Sequence, residues 1–148
     1  MKRLFIYFSR TENGEEVAKV LNEKGIELRK LEMKKPLPKS FFWGMMVGGF
    51  LATAKKKSEL VDFDNNIDEY DEIILGSPIW NDRLSAPING ALSLLNLENK
   101  KVTFVLYSGG GEAKHASKRI NEEYPNAKII ILKEPKKYKE ELEKLNEI

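Results

Sequence analysis

Residues 4 to 25 read LFIYFSRTENGEEVAKVLNEKG, and this stretch decides the fold. Leu4, Phe5, Ile6, Tyr7 and Phe8 make a continuous apolar run of strand length, and Val17, Val20 and Leu21 then repeat at helical spacing until Gly25 stops the pattern. Between them lies Ser9-Arg10-Thr11-Glu12-Asn13-Gly14, rich in short polar side chains. A buried strand that turns directly into an amphipathic helix is the first half of a strand–helix–strand unit, the building block of parallel sheets.

The pattern continues along the chain. Residues 26 to 31 alternate apolar and charged side chains, as a half-buried or edge strand should, and residues 72 to 76, 101 to 107 and 129 to 132 read as further strands. The charged tail from Lys136 carries Tyr138, Leu142 and Leu145 on one helical face. The intervals are long enough for crossovers, which predicts an α/β fold with a parallel sheet and helices on both faces. In such sheets ligands gather beyond the carboxyl ends of the strands. The loops at residues 9 to 14, 77 to 85 and 108 to 112 all follow strands. With 148 residues, one domain spanning residues 1 to 148 is expected.

Composition narrows the chemistry. Twenty-five Lys and Arg against 23 Asp and Glu leave a net charge of +2, no general pull towards nucleic acid or anionic lipid. Cysteine is absent, which excludes disulfides, thiolate metal sites and cysteine nucleophiles. With His115 as the single histidine and no zincin or EF-hand spacing, no metal is expected. His115 itself reads as an exposed helix residue rather than a proton relay. The N-terminal MKRLFIYF enters a strand with no apolar leader, so a cytoplasmic protein is expected. Eight bases and one acid lie between residues 29 and 57, and eight acids with no base between 58 and 82; adjoining blocks of this kind read as loops that neutralise one another. Residues 41 to 54, FFWGMMVGGFLATA, are too short to span a bilayer and are expected to pack their aromatic side on the sheet, so membrane contact is not expected. A partner-binding or membrane-grazing surface, with Lys55, Lys56 and Lys57 at its margin, is the alternative.

The loops suit one kind of ligand. Ser9, Thr11 and Asn13 at a helix N-terminus offer hydroxyl and amide donors beside free backbone N–H groups, an anion site, although Thr11 or Asn13 would equally serve as a helix cap. No G-x-x-x-x-G-K-[ST] or G-x-G-x-x-G motif is present, which points to a monophosphate rather than a nucleoside triphosphate or dinucleotide. Pro78, Ile79, Trp80 and Asn81 follow a buried strand, where an exposed Trp is a platform for a flat ring. Ser108, Gly109, Gly110 and Gly111 permit close approach of a ligand. Together these describe a pocket for a planar heterocycle carrying one phosphate, such as flavin mononucleotide (FMN).

The combination of YFSRTENGEEVAK, GSPIWNDRLSAP and VLYSGGGEA resembles the flavodoxin superfamily, in particular its small flavodoxin-like members, over nearly the whole chain. The resemblance implies a three-layer sandwich with a five-stranded parallel sheet in the order 2-1-3-4-5. It also implies FMN as cofactor: the loop from Ser9 through Arg10, Thr11 and Asn13 to Gly14 on the phosphate, Pro78, Ile79, Trp80 and Asn81 flanking the ring, and residues 108 to 111 lining it. Two positions depart from the family pattern. Glu12 replaces the usual glycine and Gly14 a hydroxyl, which predicts weaker phosphate binding. Arg83, if it lies near the ring, should favour the reduced anion.

The expected function is electron transfer between redox partner proteins, with no catalytic side chain required. The alternative is a reductase that takes hydride from a nicotinamide cofactor and passes it to a quinone or similar acceptor, which usually comes with a homodimer. A further alternative is a flavin-free interaction domain on the same fold. Ser9 and Ser77 stand where a phospho-receiver needs acids, and a low-molecular-weight phosphatase needs a cysteine.

Overall fold

The computed structural model describes residues 1–53, 57 and 59–148. Ala54, Lys55, Lys56 and Ser58, part of the apolar segment and of the charge blocks discussed above, lie outside the described residues. Strand β1 (Arg3–Tyr7) leads into helix α1 (Asn13–Glu23), followed by β2 (Glu27–Lys30) and α2 (Phe41–Thr53). Strand β3 (Glu72–Trp80) and the short β4 (Arg83–Leu84) precede α3 (Ala86–Leu94). The chain ends with β5 (Lys101–Ser108), α4 (Lys114–Glu123), β6 (Lys128–Lys133) and a 3-10 helix (Lys139–Glu147).

Among the described residues the parallel strands lie in the order β2-β1-β3-β5-β6, with β4 antiparallel on β3. Leaving the hairpin strand aside, this is the expected 2-1-3-4-5 order of a flavodoxin-like sheet. Side chains of a strand alternate between faces, and here the alternation builds two cores. Leu4, Ile6, Ile73, Leu75, Phe104 and Leu106 face one side and bury Ile88 and Ala91 of α3 and Ile120 of α4. Phe5, Tyr7, Ile74, Val105 and Tyr107 face the other, against Val17, Ala18 and Leu21 of α1 and Leu145 of the 3-10 helix.

Two regions differ from the sequence reading. Strand β3 does not stop at Gly76. It runs on to Trp80 and folds back through Asn81 and Asp82 into β4, pairing Ile79 with Leu84 and Trp80 with Arg83. Asn81 and Asp82 have φ of 50° and 62°, the two positive angles of a type I′ hairpin turn. Helix α2 does not turn Trp43 or Phe50 to the sheet. Trp43, Met45, Met46 and Phe50 are more than half exposed, and the glycine face packs inward instead. The reason is steric: a Cβ on Gly48 would lie 3.1 Å from Trp80 Cδ2, so the helix reaches the indole only because it has no side chain there.

The charge blocks meet as expected of mutually neutralising loops, through Arg29–Asp64 at 3.5 Å and Lys34–Glu59 at 3.9 Å. No helix among the described residues is long and apolar enough to cross a membrane.

Candidate functional site: a cavity at the carboxyl edge of the sheet

The carboxyl ends of β1, β3, β5 and β6 converge on a cavity of about 580 Å³, within the size range of small-molecule sites. Arg10, Thr11 and Asn13 line it from the β1–α1 loop, Pro78, Ile79, Trp80 and Asn81 from the β3 hairpin, and Gly109 from the loop after β5. These residues come from sequence positions far apart, and the parallel register brings them together: Pro78 pairs with Tyr107 across β3 and β5.

Each wall is positioned by identifiable contacts. Ser9 does not line this cavity; its Oγ accepts the Gly14 N–H at 3.0 Å and so closes the turn into α1. Gly14 lies beneath the loop. A Cβ there would fall 2.6 Å from Ser9 Cβ and 2.8 Å from the Tyr107 hydroxyl, so a side-chain donor at this position has no room. Tyr107 is buried, donates its hydroxyl proton to the Phe8 carbonyl, and has its pKa pushed well above the usual value by that burial. Arg10 turns its guanidinium to the Pro38 and Ser40 carbonyls at 3.1 and 3.2 Å, tying the β1–α1 loop to the segment that enters α2. Trp80 stands edge-on to Phe8, with ring centroids 5.8 Å apart and planes at 88°.

Glu12 carries a left-handed backbone, φ 66° and ψ 2°. This is the conformation that glycine adopts at little cost and other residues at roughly 1 kcal/mol or more. The Glu12 carboxylate is not left facing the loop alone: Lys136, just after β6, forms an ion pair with it, and this hydrogen bond and charge hold the Lys136 ammonium above its ordinary pKa. Behind the loop, burial pushes the Glu15 carboxyl up, but bonds from Lys30 and Ser9 outweigh it and the net displacement is downward.

Other expected residues fall outside the cavity. Ser108 ends β5, buried, with its hydroxyl donating to the Glu112 carbonyl at 2.6 Å. Gly110 and Gly111 lie beyond the lining, and Gly111 packs toward Lys133. Arg83 donates to the Asn81 carbonyl at 2.9 Å and lines a separate depression with His115 and Arg119. His115 sits in the first turn of α4, its Nδ1 2.6 Å from Asp82. The Asp82 carboxylate also accepts the His115 backbone N–H at 3.2 Å, so this pair fastens the β3–β4 hairpin to α4.

The cavity also has walls that sequence reading did not supply: Gly44 and Met45 of α2, Tyr107, and Glu134, Lys136 and Lys137 of the turn after β6. Asn13 Oδ1 accepts the Lys136 backbone N–H at 3.0 Å, joining the first helix to the last strand across the mouth. The donor set suits a phosphorylated planar ring. Hydroxyl, amide and ammonium groups cluster where α1 begins, aromatic and apolar walls stand opposite, and a Cβ at Gly109 would meet nothing within 4 Å, leaving the backbone there open to a ligand.

A parallel sheet in this order, with a cavity at the carboxyl ends of its strands, defines a flavodoxin-like protein. Residues 11–133 match the model of the NADPH-dependent FMN reductase family, and the chain belongs to that family. Solved structures share the fold. A candidate flavoprotein from Bacteroides eggerthii superposes with a TM-score of 0.70 at 23% identity over 87% of each chain. A flavoprotein from Lactobacillus acidophilus, crystallised in complex with FMN, gives 0.67 at 22% identity over 87% of this chain and 89% of its own. No curated protein matches the chain.

Proposed function

We propose that the protein binds FMN in the cavity at the carboxyl edge of the sheet and works as a nicotinamide-dependent reductase of small acceptors. The observation that carries the reading is the convergence of Thr11 and Asn13, the Pro78–Asn81 hairpin and Gly109 on one cavity of mononucleotide size. The family to which the chain belongs supports the nicotinamide as electron donor.

Bound FMN supplies a ring that accepts a hydride and releases electrons singly or in pairs. The protein's part is to hold and shield it. Thr11, the Asn13 side-chain amide and the Asn13 backbone N–H receive the phosphate at the positive end of the α1 dipole, while the Gly14 N–H stays with Ser9 Oγ. Pro78, Ile79 and Trp80 form a wall on which an aromatic ring stacks, and Gly48 lets α2 pack closely against the Trp80 indole. Tyr107, with its proton committed to Phe8, is a fixed part of the floor and donates none to substrate.

Anaerobic addition of NADPH or NADH to the FMN-loaded protein tests the reading. Bleaching of the flavin band at catalytic rates supports a reductase. A second reading, an electron carrier between proteins, is favoured by the exposed Trp43, Met46 and Phe50 on α2, next to Met45 on the cavity rim. Flavin that nicotinamides leave oxidised, yet a chemical reductant reduces in separate one-electron steps, would decide for that carrier and against the reductase.

A further inference from the structure

This inference rests on the FMN reading above. We propose that Lys136 is the cation that recognises the phosphate of the mononucleotide, and that Glu12 is an internal competitor which occupies Lys136 until the phosphate displaces it.

Lys136 reaches the phosphate loop with both ends. Its backbone N–H donates to Asn13 Oδ1 at 3.0 Å, and its ammonium pairs with the Glu12 carboxylate. The turn that presents it is anchored on its other side. Glu134 N–H donates to the Ser108 carbonyl at 3.2 Å, and Lys137 N–H returns to the Glu134 carbonyl at 2.9 Å. The lysine is therefore held over the N-terminus of α1 by main-chain bonds, not merely by a surface ion pair. Lys136 and Lys137 both line the cavity alongside Thr11 and Asn13. Of the other two cations of the lining, Arg10 has its guanidinium engaged with the Pro38 and Ser40 carbonyls, and Lys137 carries its ammonium over the Tyr138 ring, 5.2 Å from the centroid.

The competition follows from charge and exposure. The Lys136 and Glu12 side chains are 53% and 64% exposed, and ion pairs of that kind hold weakly. A phosphate carries more negative charge than a carboxylate and adds acceptors that Thr11 and the loop N–H groups can satisfy. It can therefore take the lysine from Glu12. The chain thus places its own carboxylate at the mouth of the loop, and the ammonium that neutralises it comes from the far end of the sequence.

The test is the affinity for FMN against riboflavin, which shares the ring and lacks the phosphate, measured by flavin fluorescence. Lys136→Met should weaken FMN about tenfold, the loss of one charge-assisted contact, and leave riboflavin within about twofold. Glu12→Gln should tighten FMN and leave riboflavin unchanged. Inorganic phosphate should compete with FMN in the wild type and lose most of that competition in Lys136→Met. Lys19→Met, which removes the same charge from the exposed side of α1, should change neither flavin's affinity. Equal weakening of both flavins in Lys136→Met, no weakening of either, or the same loss in Lys19→Met would overturn the proposal while leaving FMN binding intact. A wild-type protein that binds neither flavin would overturn the FMN reading and this inference with it.

Discussion

Replacing Gly14 by alanine asks whether the phosphate loop is shaped by close packing. The new methyl group would lie 2.6 Å from Ser9 Cβ, 2.8 Å from the Tyr107 hydroxyl and 3.1 Å from Ser9 Oγ. Carbon contacts settle at about 3.5–4.0 Å, so one wall must retreat by roughly an ångström. Neither wall is free to do so. Ser9 accepts the Gly14 N–H, and Tyr107 is buried with its hydroxyl bonded to Phe8. Overpacking of this kind costs about 1–3 kcal/mol, and alanine's advantage over glycine in a helix returns at most about 1 kcal/mol. The net loss should be about 1–2 kcal/mol, and at this chain length each kcal/mol lowers the melting temperature by about 2–4 °C. Urea unfolding followed by circular dichroism reads the loss, and FMN affinity should fall with it because the loop has opened. Gly14→Ala/Tyr107→Phe should lose less than the sum of the single changes, since one of the two collisions is gone. A Gly14→Ala protein as stable as the wild type would refute the packing account of this position.

Three further outcomes follow from the same contacts. Tyr107→Phe removes the donor that satisfies the buried Phe8 carbonyl and should cost about 1–3 kcal/mol in denaturant unfolding. Asp82→Asn removes the charge from the hairpin's bonds to the His115 ring and backbone N–H, a partly exposed pair, and should cost about 0.2–1 kcal/mol near neutral pH in the same assay. The bond with His115 holds the Asp82 carboxyl below its ordinary 3.8. Its contribution is therefore complete above that value and lost as pH falls through the lower folded-state value, where wild type and variant should converge. Gly48→Ala places a methyl 3.1 Å from Trp80 and should shift tryptophan emission and weaken FMN binding by moving the ring wall, without a comparable effect on urea stability.

The alternation of strands and helices was legible because its signals are local, as in the hydrophobic run, polar turn and helical repeat within residues 4 to 25, whereas the strand order came from the resemblance to the flavodoxin superfamily. The hairpin left a local signal too. Asn81-Asp82 is a two-residue turn of the kind that tolerates positive φ, but Pro78 and the polar residues around Trp80 made the stretch look like a loop. The orientation of α2 was harder to read because its apolar residues run all round the helix. The spacing of Gly44 and Gly48, four residues apart on one face, was the signal for its inner side. Lys136 gave no local signal at all. It meets Glu12 across 124 positions, a contact that exists only once the turn after β6, separated from β1 by two strands in the sheet, packs on the start of α1. Glu12 looked from sequence like a plain repulsive charge; the fold supplies its partner and shows that the conformation of its backbone matters as well.

Central to this account is FMN in the cavity lined by Thr11, Asn13, Trp80 and Gly109. The most direct test is to mix the purified protein with FMN, remove the excess by gel filtration, and record the visible spectrum of the protein fraction. The account predicts one FMN per chain, with a band shape changed from that of free flavin and tryptophan emission quenched. Flavin that elutes apart from the protein with its free spectrum would contradict it.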